Sequence, residues 1–242
     1  MNILITNDDG IDSPSIVKLA KTAKEFGEVY VVAPDRQRSC ISHSFTYGTP
    51  IRLTRYDFPV KGIHAFSCNG TPADAVRIGM IKIVPDKTDF VFAGINNGYN
   101  IAKDIQYSGT VAAAMEAASD GVQAIAFSQG FFDYEEDGYM NENVDKYLSI
   151  LIKECMNKPL GKNQIWNINF PACDLKDCKG IMRDCKVSTD NFYDDGYSEE
   201  VIEEGVIDYR VIPRRNYEAQ KGTDLAAIID NYIAVGIVNN IG

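Results

Sequence analysis

Short apolar runs alternate along the chain with segments of helical periodicity. The first run, residues 2–6, is followed by residues 14–26, whose apolar positions fall on one helical face and which Gly27 closes. A second run, residues 28–33, is rich in β-branched side chains and fits a buried parallel strand. Strand, helix and strand in this order predict a βαβ unit with a right-handed crossover.

The same alternation continues to about residue 170. Buried strands are predicted at 89–93, 122–127 and 164–169, and helices at 111–118 and 143–155. The pattern therefore predicts an α/β fold built on parallel strands. The turn between the first strand and the first helix lacks the G-x-G-x-x-G sequence of a dinucleotide site, so a nicotinamide or flavin cofactor is not expected.

Other segments lie outside this repeat. Residues 45–55 and 61–69 predict additional strands, and Thr71-Pro72 with Asp74 predicts a helix that begins with a capping box. After residue 175 the predicted elements are short hairpins at 179–215, a helix from 223 and a strand at 232–238. Because no linker separates these segments, we expect a single domain over residues 1–242.

Composition narrows the possible partners. Lys and Arg total 24 against 34 Asp and Glu, so the net charge of −10 disfavours a nucleic acid duplex or an anionic membrane as partner. No run reaches the roughly 20 apolar residues of a membrane span, and a cytoplasmic location is expected. Six cysteines without a C-x-x-C pair predict reduced thiols, and with two histidines a zinc site is not expected.

An acidic loop follows the first strand directly. Asn7, Asp8, Asp9 and Gly10 stand where the chain leaves the carboxyl end of a buried strand, which is where open α/β sheets bind ligands. Two adjacent carboxylates at that edge predict a hard cation held by oxygen ligands. The alternative is that Asp8 caps a turn at Gly10 and that Asp9 is solvated.

Two further loops carry polar side chains at strand ends. After the second strand, Arg36 and Arg38 are candidates for holding phosphate and Ser39 for reaching a metal, although surface ion pairs and a turn would explain them equally. After the strand at 89–93, the segment 94–100 is rich in Asn and Gly. Asn carbonyl oxygens complete the shell of a hard cation without adding charge.

A helix start supplies anion-binding groups. Ser108, Gly109 and Thr110 precede an alanine-rich helix, so free backbone N–H groups and two hydroxyls lie at its N-terminus. The alternative is that Ser108 or Thr110 only caps the helix. Carboxylates, hydroxyls and amides converging from three strand ends on this helix start favour a metal-assisted phosphate site.

Five stretches of this chain together resemble the SurE family of survival-protein acid phosphatases, or 5′/3′-nucleotidases. They span about half the chain in the family's order: ITNDDGI at 5–11, VVAPDRQRS at 31–39, NGTPADAV at 69–76, GINNGYN at 94–100 and DIQYSGTVAAAMEA at 104–117. The resemblance implies a Rossmann-like three-layer α/β/α sandwich with a mixed sheet. It also implies a core of about residues 1–175 and a C-terminal β-hairpin extension of about 176–242 used in oligomerisation, giving a homodimer or homotetramer.

The resemblance also implies site residues. One divalent cation per subunit, Mg²⁺ or Mn²⁺, would be bound by four ligands, and four further residues would face the phosphate. The implied metal ligands are Asp8, Asp9, Ser39 and Asn96, and the implied phosphate-binding residues are Asn100, Ser108, Gly109 and Thr110. Asp8 and Asp9 are also the implied catalytic residues, with Asp9 favoured to orient or deprotonate water and an aspartyl-phosphate intermediate as the alternative.

The implied reaction is metal-dependent hydrolysis of nucleoside 5′-monophosphates, with 3′-monophosphates and short polyphosphates as further substrates. Three residues depart from the family pattern: Cys40 and Ala102 stand at glycine positions and Ala93 at a common serine position. Cys40 and Ala102 favour the alternative, a metal-dependent nucleotide-binding and stress-sensing module with little turnover. The aromatic residues Phe131, Phe132 and Tyr134 are candidates for stacking a base or for packing at an interface.

Overall fold

A computed structural model describes residues 1–130 and 141–240 of the chain. Strands and helices alternate through most of this part. The strands are β1 (Asn2–Thr6), β2 (Glu28–Pro34), β3 (Leu53–Tyr56), β4 (His64–Cys68), β5 (Phe90–Asn97), β6 (Gln123–Gln129), β7 (Gln164–Phe170), β8 (Ile181–Cys185), β9 (Gly196–Glu203), β10 (Val206–Ile212) and β11 (Ile233–Asn239). The α-helices are α1 (Pro14–Ala23), α2 (Pro72–Ile78), α3 (Gly109–Ser119), α4 (Glu142–Met156) and α5 (Asp224–Ile229). A π-helical turn (Gly79–Ile83) follows α2, and a 3-10 helix (Ala102–Gln106) precedes α3.

Within the described residues, nine strands form one mixed sheet in the order β3-β4-β2-β1-β5-β6-β7-β11-β8. The central strands are parallel, whereas β3 pairs antiparallel with β4 and β11 pairs antiparallel with β7. The remaining strands, β9 and β10, form a separate antiparallel hairpin. The implied mixed sheet with a C-terminal hairpin is therefore confirmed.

Helices cover both faces of the sheet because neighbouring side chains of a strand point to opposite faces. Ile3 and Ile5 of β1 pack in one core with α1 and α4, whereas Leu4 packs in a second core with α2 and α3. Burial on both faces explains why the central strands read as continuous apolar runs. The result is the three-layer α/β/α sandwich that the resemblance implied.

Local capping fixes where the helices begin. The Ser13 side chain accepts from the N–H of Ser15 ahead of Pro14, as helix starts prefer. The predicted capping box is confirmed, because Thr71 Oγ1 accepts from the N–H of Asp74 while Asp74 Oδ2 accepts from the N–H of Thr71. No helix in residues 1–130 or 141–240 is long and apolar enough to cross a membrane.

Several predicted boundaries differ from the structure. The helix predicted at 14–26 ends at Ala23. The strand predicted at 45–55 is much shorter in the structure, where β3 covers Leu53–Tyr56. The strand predicted at 89–93 continues to Asn97, because a bulge between Ala93 and Asn96 lets the chain pair again with β6. Part of the predicted Asn-rich loop is therefore strand, which holds Asn96 and Asn97 on ordered backbone.

The segment after residue 175 is also partly rearranged. Residues 179–215 were predicted as hairpins, but β8 instead joins the main sheet beside β11. An isolated hairpin of β9 and β10 is consistent with the charge-rich, alternating sequence there. The implied limit of the core near residue 175 does not coincide with an edge of the sheet, since both β8 and β11 lie beyond it in sequence.

An ion pair ties the edge strand β8 to α4. Arg183 Nε and Nη2 each donate to one carboxylate oxygen of Glu154 at 2.8 Å, and Lys158 Nζ donates to Oε1 at 2.8 Å. Hydrogen bonds from Arg183 and then Lys158 lower the pKa of Glu154 from 4.5 to about 2. A carboxyl group with a lowered pKa in the folded state stabilises that state when ionised.

Glu154→Gln is therefore expected to lower the free energy of unfolding at pH 7 by about 1 kcal/mol. The effect is expected to be small because the Arg183 side chain is partly exposed and solvent screens the ion pair. The stabilisation is present above about pH 4.5 and is lost as the pH falls through about 2. Urea denaturation across this range measures it, with Glu28→Gln at an exposed position of β2 as control. A difference from wild type that stays constant down to about pH 2 would contradict the assignment.

Candidate active site

A cleft opens where the carboxyl ends of β1, β2 and β5 meet the start of α3. Its volume is about 690 Å³. It is lined by Asp8, Ser39, Cys40, Asn96, Asn97, Tyr99, Asn100, Lys103, Asp104, Tyr107, Ser108, Tyr193, Asp194, Asp195 and Tyr197. Five of the residues implied as metal or phosphate ligands therefore share one cavity, because the parallel strands end at the same edge of the sheet.

Asp8 is buried at the base of this cleft. Thr110 Oγ1 donates to Asp8 Oδ1 at 2.7 Å, and the N–H of Thr110 donates to Oδ2 at 3.2 Å. Burial raises the pKa of Asp8, and the hydrogen bonds from Thr110 and Gly109 oppose that rise. The start of α3 therefore holds a carboxylate of the protein itself.

The structure places Gly109 and Thr110, two of the residues implied to face the phosphate, against Asp8. Thr110 is fully buried and its hydroxyl is committed to Asp8, so its side chain does not face the cleft. A Cβ at Gly109 would lie 3.0 Å from Asp8 Cβ and Oδ2, which explains why glycine allows this close approach. In this structure both residues hold Asp8 in place, and their implied contact with a phosphate stays a prediction.

Ser108 is the N-cap of α3, as the capping alternative predicted. Its Oγ accepts from the N–H of Val111 at 3.0 Å, and the residue also lines the cleft. Asn100, the fourth residue implied for phosphate, lines the cleft as well. Its Nδ2 donates to Ser128 Oγ and its N–H donates to Asn169 Oδ1, both at 2.8 Å. These bonds fix the Asn100 side chain to β6 and the Asn100 backbone to β7.

Asn7 closes the acidic turn, a role that the alternative had given to Asp8. Asn7 Nδ2 donates to the carbonyl of Gly10 at 2.9 Å, and the N–H of Gly10 donates to Asn7 Oδ1 at 3.2 Å. Gly10 has φ +102°, a conformation that favours glycine. The turn therefore leaves the carboxylates of Asp8 and Asp9 available for other contacts.

Asp9 lies beside Asp8 at the end of β1. The N–H of Asn97 donates to Asp9 Oδ2 at 3.2 Å, which links the acidic turn to the end of β5. Burial, followed by the negative charge of Asp8, raises the pKa of Asp9 to about 7. Two neighbouring carboxylates in a buried position are costly unless a positive charge accompanies them.

The loop after β2 contacts the acidic turn through its backbone, and its arginine side chains do not line the cleft. The N–H of Arg38 donates to the carbonyl of Asp8 at 2.6 Å, which places the following Ser39 at the cleft. Arg38 Nη2 donates to the carbonyl of Asn69, and neither Arg36 nor Arg38 belongs to the described residues that line the cleft. The structure thus gives no support to a phosphate-holding role for these two arginines.

Two of the residues that depart from the family pattern have a left-handed backbone conformation. Cys40 has φ +55° and Ala102 has φ +53°, a region that favours glycine. Glycine, which the resemblance led us to expect at both positions, adopts this conformation without strain. Cys40 lies exposed at the cleft, next to Ser39.

Cys40→Gly is expected to raise the free energy of unfolding by about 0.5 kcal/mol, because relief of the left-handed backbone exceeds the entropy that glycine adds to the unfolded chain. Cys40→Ala keeps the Cβ and serves as control for loss of the thiol. Urea denaturation of both variants measures the difference. A Cys40→Gly protein that is no more stable than Cys40→Ala would contradict the strain argument.

Part of the cleft was missed by the sequence analysis. Asp104, Asp194 and Asp195 line it together with Tyr193 and Tyr197, although these residues come from two segments about 90 positions apart. Burial raises the pKa of Asp104 to about 6. Asp104 opens the stretch at 104–117, but no strand-end motif marks Asp194, Asp195 or the two tyrosines as cleft residues. Phe131, Phe132 and Tyr134, the candidates for stacking a base, lie outside the described residues.

The chemistry of the donors fits a hard divalent cation. Mg²⁺ and Mn²⁺ prefer carboxylate, hydroxyl and amide oxygens as ligands. Asp8, Ser39 and Asn96 bring such oxygens to the cleft, and Asp9 lies next to Asp8 in the chain. Burial raises the pKa of both carboxyl groups, so their ionised forms are disfavoured unless a positive charge accompanies them. In the described ranges no group of three or more His, Cys, Asp or Glu residues is placed to hold a metal ion.

The comparison with known proteins decides the family. A family model described as "Survival protein SurE" matches residues 3–193. The chain belongs to the SurE family. Over 235 residues it is 38% identical to a protein named 5′-nucleotidase SurE from Clostridium botulinum (strain ATCC 19397 / Type A), with 97% of this chain and 91% of that protein covered.

Two further similarities extend over nearly the whole chain. A protein named 5′-nucleotidase SurE from Thermoanaerobacter sp. (strain X514) is 34% identical over 236 residues, covering 97% of this chain and 90% of that protein. The crystal structure of the SurE protein from Aquifex aeolicus superposes with a TM-score of 0.84 at 32% identity, covering 100% of this chain and 94% of that one. The α/β/α fold described above is therefore the SurE fold.

Proposed function

We propose that this SurE-family protein is a metal-dependent phosphomonoesterase that hydrolyses nucleoside 5′-monophosphates. The relatives named 5′-nucleotidase SurE support the reaction. The observation that carries the proposal is the cleft itself, which is lined by Asp8 together with Ser39, Asn96, Asn100 and Ser108. A buried carboxylate among neutral oxygen and nitrogen donors suits a cation together with a phosphate.

Asp8, Asp9, Ser39 and Asn96 are the proposed holders of one Mg²⁺ or Mn²⁺ per subunit. When bound, the cation supplies positive charge to a phosphate oxygen and lowers the pKa of a water molecule. Thr110 keeps the Asp8 carboxylate in one orientation through two hydrogen bonds. Fixed orientation of this kind avoids reorganisation during the reaction.

The other residues are proposed to orient the substrate and move a proton. Asp9, whose Oδ2 is held by the N–H of Asn97, is the proposed acceptor of a proton from the attacking water. Asn100 and Ser108 are the proposed phosphate contacts, since both line the cleft and both are fixed by hydrogen bonds to neighbouring elements. Rigid placement of these groups favours an in-line attack.

The β9–β10 hairpin supports a proposal of self-association. It exposes large apolar side chains, with Tyr197 and Val201 each 66% and Val211 56% accessible. Exposed apolar side chains on a hairpin that is separate from the sheet suit burial against another copy of the chain. We therefore propose a homodimer or homotetramer assembled through this hairpin.

The test is phosphate release from a panel of nucleoside 5′- and 3′-monophosphates, with Mg²⁺, with Mn²⁺ and with EDTA. Metal-dependent and continuing release from the 5′-monophosphates is the expected result. Release that stops at one equivalent per site, or nucleotide binding without release, would replace the proposal by the sensing module. Release that is unaffected by EDTA would remove the metal from the proposal.

A further inference from the structure

One buried carboxyl group outside the proposed reaction joins two segments that line the cleft. Asp224, the first residue of α5, is 5% exposed. Its Oδ2 accepts from the N–H of Ala102 at 3.0 Å, and its Oδ1 accepts from the N–H groups of Ser188 and Leu225, both at 2.8 Å. A carboxylate that accepts three backbone N–H groups holds the segments that carry them in one arrangement.

Both segments continue directly into the lining of the cleft. Ala102 opens the 3-10 helix, whose next residue, Lys103, lines the cavity. Ser188 lies five residues before Tyr193, which lines the same cavity. Asp224 does not line it. The carboxylate therefore acts on the cleft through the two segments and not by touching a ligand.

Apolar packing surrounds this carboxylate. Ile101, Phe192 and Leu225 belong to one buried apolar cluster. Ile101 and Phe192 come from the two segments that line the cleft, whereas Leu225 comes from α5. Burial raises the pKa of Asp224, and the hydrogen bonds from the three N–H groups oppose that rise. The carboxylate is thus kept in apolar surroundings by the bonds that it accepts.

The backbone of Ala102 depends on this contact. Its φ of +53° lies in the left-handed region, which is strained for alanine but not for glycine. Ala102 is fully buried, and the bond from its N–H to Asp224 favours the strained conformation. Without that bond, the backbone at Ala102 would relax toward a negative φ and would move the 3-10 helix that follows.

We propose that Asp224 is a positioning residue for the nucleoside part of the substrate. The inference rests on the proposed function, which assigns the phosphate to the strand ends and to the start of α3. Most of the remaining lining of the cleft comes from the two segments that Asp224 joins. A nucleoside in that space is bound well only while the two segments keep their spacing.

The experiment measures kcat and KM for adenosine 5′-monophosphate, and the inhibition constant of inorganic phosphate, in the wild type and in Asp224→Asn with excess Mg²⁺. Asparagine keeps the shape of the side chain but replaces one acceptor oxygen by a donor, so at least one of the three N–H groups loses its partner. The KM for the nucleotide is expected to rise by about three- to tenfold, the value of one hydrogen bond. Because phosphate has no nucleoside, its inhibition constant and the kcat are expected to stay close to the wild-type values.

Ala102→Gly provides a second readout. In the double variant Asp224→Asn with Ala102→Gly, the left-handed backbone is no longer strained, so the 3-10 helix keeps its place with a weaker contact. The KM for the nucleotide is expected to return toward the wild-type value. A merely structural role of Asp224 would weaken binding of nucleotide and of phosphate alike.

Asp74→Asn is the matched control. Asp74 is also buried, and its carboxylate accepts from the N–H of Thr71 at 2.8 Å and from the N–H of Thr46 at 3.0 Å. It does not line the cleft. The ratio of the nucleotide KM to the phosphate inhibition constant is expected to match that of the wild type in this control, even where stability is lost.

Hydrogen exchange of the wild-type protein decides the matter if neither Asp224 variant folds. Adenosine, which needs no cation, is expected to slow exchange of the backbone amides in 102–107 and 188–195. Unchanged exchange in both segments would overturn the inference.

The kinetic outcomes separate the inference from the proposed function. An unchanged nucleotide KM in Asp224→Asn, an equal weakening of phosphate binding, or an equal change of the ratio in Asp74→Asn would overturn the inference. Hydrolysis of the nucleotide by the wild type would still support the proposed function in each of these cases. Absence of that hydrolysis would overturn both.

Discussion

Replacing Asp8 by asparagine is expected to lower kcat for nucleoside 5′-monophosphates by about 10²–10³-fold at saturating metal, the usual loss for one group that stabilises a transition state. The variant keeps the shape of the side chain and an oxygen that can accept from Thr110. It loses the charge that the proposed cation needs. Phosphate release measured with rising Mg²⁺ or Mn²⁺ separates weaker metal binding from slower turnover.

Asp12→Asn is the matched control for this change. Asp12 lies in the same segment, but its Oδ1 accepts from the hydroxyl of Tyr56 at 2.6 Å and it does not line the cleft. Near-normal turnover is expected for this control. The Asp8 variant is expected to melt, without metal, at or above the wild-type temperature, because burial disfavours the ionised carboxylate. Normal turnover by Asp8→Asn would contradict the metal-ligand proposal.

Replacing Thr110 by valine is expected to lower kcat/KM by about 10–10²-fold, the range found when a group that orients a metal ligand is removed. Valine has the shape of threonine but cannot donate to Asp8 Oδ1. Because the missing contact is to Asp8 and not to substrate, the apparent affinity for the metal is expected to weaken more than the KM for the nucleotide.

Thr110→Ser keeps the hydroxyl and tests that assignment. It is expected to restore most of the metal affinity lost in Thr110→Val. The metal concentration at half-maximal activity, measured at saturating nucleotide, gives the comparison. A valine variant that raises the KM for nucleotide but leaves the metal dependence unchanged would return Thr110 to the phosphate-binding role implied by family resemblance.

The central sheet could be predicted from sequence because its strands are buried on both faces. Continuous apolar runs such as β1 and β6 leave little ambiguity, and the capping box at Thr71 marks a helix start by its own chemistry. The extent of β5 was missed because pairing through Asn96 and Asn97 depends on a bulge against β6. The place of β8 depends on a pairing with β11 that lies some 50 residues away in sequence.

The sequence was sufficient to predict that the residues at strand ends lie together, because parallel strands bring Asp8, Ser39 and Asn96 to one edge of the sheet. The partners of each side chain were not predictable. Whether Thr110 faces a phosphate or Asp8 is decided by the exact approach of α3, which Gly109 permits. The place of Asp194 and Asp195 at the cleft required knowledge of where the base of the hairpin packs.

The position of β11 has a consequence for synthesis of the protein. This strand lies between β7 and β8, although both are made before it. When synthesis has reached only about residue 230, β7 and β8 are present but the edge of each that later pairs with β11 has no partner. Unpaired edges invite association with other chains, so this part of the sheet is protected only after β11 has been made and inserted.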